Sequence, residues 1–459
     1  MVSAELEQAG LSTQSETRAQ RTYRLDRRHV FHSWSAQETL DPMVLTEAKG
    51  CFVWDETGKR YLDIGSQLVN MNVGHQHPRV VAAIQEQAGR MCMIGPQHAN
   101  DARSEAARLI AERTPGDLNR VFFTNGGADA NEHAVRMARL VTGRHKIMTA
   151  YRSYHGGTTT AINMTGDPRR WANDLGTAGV AHFWGPFLYR SPFHSETVEQ
   201  ECLRALEHLE RTIIFEGAAT IAAIVLEAVP GTPGVMVPPP GYLSGVRELC
   251  DRFGIKLIVD EVMTGFGRTG SWFSSDAQGV VPDLLTFAKG VNSGYVPLGG
   301  VAICDEIVEF FGKRVYPGGL TYSGHPLASA AAVAAINVVE DEGLVQNAAR
   351  LGRDVIEPRL HAMVDRHPSL AEARGVGAMW ALELVSDPST REPLAPYGGT
   401  SAAMTEIVGF LMANGLLPMT NYHRLHIMPP LNISDTNLIQ GLELIDAALD
   451  IADRYVTDN

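Results

Sequence analysis

Hydrophobic and polar positions change their rhythm several times along this chain. Residues 1 to about 20 carry no sustained period and read as a loose arm. Residues 51–63 alternate on either side of Asp55-Glu56-Thr57-Gly58, which reads as a β-hairpin. His77-Pro78 opens a helix, with Pro in its first turn and Val80, Val81, Ile84 and Ala88 on one face. From about residue 120, short apolar runs alternate with amphipathic stretches. Val121–Thr124, Lys146–Ala150, Ile221–Glu227, Ile255–Val262, Leu284–Ala288 and Val301–Cys304 read as strands; the segment from the Gly-Gly turn to Leu140 and Gly241–Phe253 read as helices.

Continuous apolar strands separated by helices predict an α/β fold with a mostly parallel sheet covered on both faces. After about residue 340 the pattern turns to two long helical stretches, including Leu438–Tyr455, with Leu442, Ile445, Leu449 and Ala452 in register. The expected organisation is an arm and part of a small domain over 1–70, a large domain over 71–340, and the rest of the small domain over 341–459.

Composition narrows the function. The 459 residues are 44% hydrophobic and 20% charged, enough for a large core. Lys and Arg number 39 against 52 Asp and Glu, a net charge of −13 that disfavours nucleic acid and anionic membrane as partners. Five cysteines without CxxC spacing argue against a disulfide framework and a cysteine-built metal site, and no metal is expected. No apolar stretch approaches the roughly 20 residues of a membrane span. The polar, acidic start lacks a signal-peptide core, so a cytoplasmic enzyme is expected.

Four strand ends carry candidate chemistry. Asp260 closes the run Leu257-Ile258-Val259, where an unpaired carboxylate would be costly, so a cationic partner is expected. Lys289 follows Phe287-Ala288, and a lysine in an apolar mouth is pushed towards its neutral, nucleophilic form. Asn125-Gly126-Gly127-Ala128 joins a strand to a helix, where small residues and free N–H groups cup an anion. Tyr154 and His155, on a Gly-hinged loop, can stack on a flat group. Each feature alone has a structural explanation: an internal ion pair, a surface lysine, an ordinary turn, a structural Tyr-His pair. Together they match what pyridoxal 5′-phosphate needs: a lysine for its aldehyde, a carboxylate for its ring nitrogen, a phosphate cup and a stacking ring. Gly265-Phe266-Gly267-Arg268-Thr269-Gly270 formally matches a dinucleotide fingerprint, but loop-like residues follow and no acid stands at a suitable strand end, so that reading is set aside.

These residues lie in motifs that resemble the class III (ω-) aminotransferases of PLP fold type I: NGGADANEHAVRMAR, YHGG, LEAVPGTPGVMVPPPGY, IVDEVMTGFGRTG, FAKGVNSGYVPLGG and TYSGHPLA. The resemblance implies a large PLP-binding domain with a mostly parallel mixed sheet, and a smaller α+β domain built from both chain ends. It implies Lys289 as Schiff-base lysine and proton shuttle and Asp260 as partner of the pyridine nitrogen. Val262 is implied on the ring face opposite Tyr154, and Glu227 near the cofactor. Gly126, Gly127 and Ala128 stand where the family usually has a hydroxyl-bearing cup. Thr321 would reach the phosphate of a neighbouring subunit, which implies a homodimer with shared sites; pairing into tetramers is left open.

Met263, and the form of the Thr321 motif, resemble the amine:pyruvate, β-alanine:pyruvate and taurine:pyruvate branch. That implies a small-molecule amine donor and a keto-acid acceptor, pyruvate, in ping-pong exchange. In that branch an Arg upstream of the C-terminal Pro-Pro binds carboxylate. Here that position falls near Met419, and Arg424 is the nearest substitute. Leu68, Val69 and Thr232 are expected at the substrate, with Trp34 as an aromatic wall. Other PLP chemistry (aminomutase, decarboxylase), a non-catalytic homologue and a nicotinamide dehydrogenase are the competing classes.

Overall fold

A computed structural model describes residues 16–173 and 179–457. Most of the expected arm, residues 1–15, lies outside these. Its end does not stay loose: Arg18–His29 is a helix, opened by Thr17 and Gln20, which cap each other's backbone.

The hairpin is present as β2 (Phe52–Asp55) and β3 (Arg60–Asp63), preceded by β1 (Leu45–Lys49). Asp55 fixes its turn by accepting from the backbone N–H groups of Thr57 and Lys59. The helix at Pro78 runs to Arg90, but its buried face is Val80 and Gln87, and Ala88 is exposed.

Seven strands form the central sheet: β4 (Arg120–Thr124), β5 (Lys146–Ala150), β6 (Val180–Phe183), β7 (Ile221–Glu227), β8 (Lys256–Asp260), β9 (Leu284–Phe287) and β10 (Gly299–Ile303). Their order is β4-β10-β9-β8-β7-β5-β6, and only β10 runs against its neighbours. β7 is buried at every position, as its unbroken apolar run demands. The carboxyl ends of β4, β5, β7, β8 and β9 therefore open on one edge, where ligands sit in such sheets.

After residue 340 the helices Leu344–Arg350, Glu357–Arg366, Ala402–Ala413 and Asp435–Asp453 are accompanied by strands that the helical reading missed. These are β11 (Leu370–Val376), β12 (Met379–Asp387), β13 (Glu392–Pro393), β14 (Leu416–Leu417), β15 (Met419–Asn421) and β16 (Arg424–Ile427). β14 joins β3 of the N-terminal hairpin in parallel, so both chain ends share one small sheet. Leu442, Ile445, Leu449 and Ala452 are buried, as their spacing requires. The result is an α/β fold with a mixed, mostly parallel main sheet and a smaller α+β part drawn from both ends. Among the described residues no helix is long and apolar enough to cross a membrane.

Candidate active site

A cavity of about 370 Å3 opens at the carboxyl edge of the central sheet. Gly126, Gly127 and Ala128 line it from β4, Tyr154 and His155 from β5, Glu227 from β7, Asp260 and Val262 from β8, and Lys289 from β9. Strands distant in sequence thus bring the predicted cofactor residues together. The glycine run at 265–270 leads into no long helix; the next helix is the four-residue Ser274–Ala277, which bears out the rejection of a dinucleotide fingerprint.

Asp260 ends β8 and is 4% exposed. Its Oδ2 accepts from Asn131 Nδ2 and from His155 Nδ1, both at 2.8 Å, and its Oδ1 accepts from Val262 N at 3.0 Å. The cationic partner expected from sequence is thus His155. Burial disfavours a charged imidazole, but Asp260 outweighs this and His155 ends above its ordinary pKa. Asn131 was not singled out from sequence. It lies one turn into the helix Gly127–Thr142 and also donates to His155 O and accepts from Thr286 Oγ1, so it ties the Asp260 carboxylate to the His155 loop and to β9.

Lys289 follows β9 with φ +44, in the left-handed region that costs a non-glycine residue on the order of 1 kcal/mol. Its amine has no hydrogen-bond partner among the described residues. The surrounding protein lowers its pKa, with the Asp260 and Glu227 carboxylates pulling the other way. Glu227 accepts from Tyr154 N and Gly231 N, both at 2.9 Å, and ties the Tyr154 loop to the chain that follows β7. Burial raises its pKa.

The anion cup is the start of the helix Gly127–Thr142, whose first N–H groups have no partner within the helix. A Cβ at Gly126 would meet nothing within 4 Å, so the missing side chain leaves open space there. Gly156, at φ +131, lets its loop approach Ala128: an added Cβ would lie 2.5 Å from the Ala128 Cβ. Tyr154 lines the cavity, but the Arg169 guanidinium stacks 3.6 Å from its ring centroid, so one face is already covered.

Several expected substrate contacts fall elsewhere. Leu68 and Thr232 line the cavity. Val69 does not: at φ +62 it turns into a buried cluster with Val229, Val235, Met263 and Met379. Trp34 is 69% exposed and lines no wall of the cavity within this chain. Thr321 is exposed and also outside it. Met419 packs at the edge of the Val69 cluster. Arg424 lines a second, adjoining cavity and is engaged with Glu383.

A partnerless lysine amine, a hydrogen-bonded carboxylate and an open helix N-terminus in one cavity fit pyridoxal phosphate. The profile of the family described as Aminotransferase class-III matches residues 34–449. The chain is a class-III aminotransferase. It is similar to a putrescine–pyruvate aminotransferase of Pseudomonas aeruginosa, 34% identical over 89% of this chain and 90% of that protein. A 4-aminobutyrate aminotransferase of Escherichia coli is 35% identical over 90% of this chain and 95% of its own length. Among solved structures, a taurine:2-oxoglutarate aminotransferase from Bifidobacterium kashiwanohense, in complex with PLP and glutamate, superposes with a TM-score of 0.93. It is 40% identical, over 96% of this chain and 100% of that one. This aminotransferase therefore depends on PLP and transaminates amines or ω-amino acids. The cofactor, when bound, supplies an aldehyde and an electron-accepting ring.

Proposed function

We propose that this aminotransferase moves an amino group from a primary amine or ω-amino acid, taurine-like donors included, to pyruvate in two half-reactions at one site. Lys289 would hold the cofactor through its aldehyde, and its amine, once free, would move the proton at the donor carbon. Asp260 would face the pyridine nitrogen, and His155 and Asn131 hold the Asp260 carboxylate in place. The helix start at Gly126–Ala128 holds the phosphate through backbone N–H groups. Val262 and Tyr154 confine the ring. The observation that carries this reading is the placement of a partnerless Lys289 amine and the Asp260 carboxylate at neighbouring strand ends lining one cavity. The putrescine–pyruvate relative supports pyruvate as acceptor.

Residues 71–340 act as the cofactor-binding unit, with 1–70 and 341–459 as arm and small domain. Thr321, exposed here, serves the site of a second copy in a homodimer. The test is Lys289→Ala: the visible absorbance of the lysine-bound cofactor and nearly all amino transfer should be lost. Retained turnover would place the chemistry on another residue.

A further inference from the structure

Beside the lysine cavity lies a second one of about 350 Å3, and Thr232 lines both. Its walls carry the guanidinium-bearing residues Arg152, Arg170, Arg190 and Arg424, of which Arg170 is engaged, and the rings of Trp171, Trp184 and Tyr397. Asp167 lines it too, but is engaged with Arg169.

The cations here are not equivalent. Glu383 is fully buried and accepts from Arg374 Nη2 at 2.6 Å, Arg424 Nε at 2.8 Å and His423 Nε2 at 2.8 Å. Burial alone would raise its pKa, but these partners hold it well below the ordinary carboxylate range. Arg190 reaches Glu383 at 3.7 Å and donates to the Arg391 carbonyl. Arg374 is completed by Glu372 and the Gly234 carbonyl. Three guanidiniums, Arg190, Arg374 and Arg424, thus share two carboxylates, Glu372 and Glu383.

Arg152 is the one left over. Among the described residues its guanidinium has no hydrogen bond and no ion pair, only the rings of Phe187 at 4.9 Å and Trp184 at 5.9 Å. It is half-buried, and burial, with the Arg424 charge adding to it, lowers its pKa to about 10. A cation placed this way is poorly compensated until an anion arrives. Its backbone is also held in a costly conformation, with φ +59 and its N–H bonded to Gly166 O at 3.0 Å.

We propose that Arg152 holds the distal acid group, sulfonate or carboxylate, of an ω-amino acid whose amine reacts at Lys289, with the aromatic walls covering the methylene chain. The proposal rests on the transaminase reading of the Lys289 site. It also moves the acid-binding role from Arg424, locked against Glu383, to Arg152. Planar guanidinium and acid group pair through parallel N–H bonds, which a lysine at 152 would reproduce only as a point charge.

The test uses the PLP-loaded enzyme with taurine, 4-aminobutyrate and n-butylamine as separate donors, in the native chain and in Arg152→Gln, Arg152→Lys and Arg190→Gln. In Arg152→Gln, KM should rise roughly tenfold or more for the donor whose acid the site takes, relative to n-butylamine, with kcat changed much less. Arg152→Lys should recover part of that ratio. The taurine and 4-aminobutyrate arms tell sulfonate from carboxylate. An equal shift for all three donors, or no shift, overturns the proposal. Tryptophan fluorescence on adding propane-1-sulfonate or butyrate, acids without an amine, reads binding apart from turnover: a response lost in Arg152→Gln supports the site, and an unchanged response refutes it. Should Arg152→Gln fail to fold, the donor ratio of Arg152→Lys, and a smaller shift in Arg190→Gln, decide the matter. If no donor transfers its amine while the acids still bind through Arg152, it is the transaminase reading that fails, not the anion site.

Discussion

Asp260→Asn removes one charge and leaves the shape almost unchanged. Three donors converge on the native carboxylate: Asn131 Nδ2, His155 Nδ1 and Val262 N, all at 2.8–3.0 Å. An amide has one acceptor oxygen and one NH2 group, so in either orientation a donor faces a donor. His155 can relieve this by moving its proton to Nε2, which already lies 3.3 Å from Thr149 Oγ1. Bonds to a charged group contribute about 1.5–3 kcal/mol and neutral ones about 1 kcal/mol, so two weakened bonds and one misplaced donor cost about 3–4 kcal/mol locally. Relief of a buried charge offsets part of this in the fold, and the chain should still fold. The loss falls on the group proposed to hold the ring nitrogen protonated. About 3 kcal/mol there corresponds to a rate at least ~100-fold lower. Single-turnover kinetics of the donor half-reaction, at saturating PLP and with a circular-dichroism check of folding, measures it. A rate within a few-fold of native in a folded, PLP-bound Asp260→Asn would refute the role given to Asp260.

Further consequences follow from the same geometry. Gly126→Ser adds a hydroxyl where a Cβ meets no atom within 4 Å, so stability should shift by no more than about 0.5 kcal/mol while PLP affinity rises about fivefold by equilibrium dialysis; unchanged affinity would remove the phosphate from this helix start. Arg268 is fully buried and donates to the Ala378 and Pro429 carbonyls and to Asn72 Oδ1, so Arg268→Met should lower the urea-unfolding free energy by about 3 kcal/mol or more. His155 has a raised pKa in the fold, so its ion pair stabilises fully below the unfolded value of about 6.5 and fades as pH rises through the folded value. The stability gap between the cofactor-free native chain and His155→Asn should therefore be widest below about pH 6.5 and narrow above it; a gap that widens with pH would contradict the pairing.

How much of this was legible in the sequence depends on the kind of signal. Ile221–Glu227 and Lys256–Asp260 announced themselves because buried parallel strands need unbroken apolar runs, and Asp260 stood out by interrupting one. β11 and β12 did not. Their Ala, Glu and Leu residues have helical propensity, and only pairing with each other and with β16 holds them extended. Val69 and Trp34 do not line the cavity of this chain, and both sit at positive φ, a turn of the backbone that no spacing rule announces for these residue types. Arg268 was hidden in a glycine run and Asn131 on a helix face, and their acceptors come from segments far away in sequence. Arg152 was passed over between Tyr151 and Tyr154, because a lone arginine reads as surface until its missing counter-charge is seen.

The most direct test of the account is the visible absorbance spectrum of the purified PLP-bound protein, recorded before and after taurine, β-alanine or a chiral arylalkylamine, and again after pyruvate. The account predicts a lysine-bound cofactor band that at least one donor bleaches and pyruvate restores. A band that no donor changes, or one bleached by a donor but never restored by a keto acid, would contradict it.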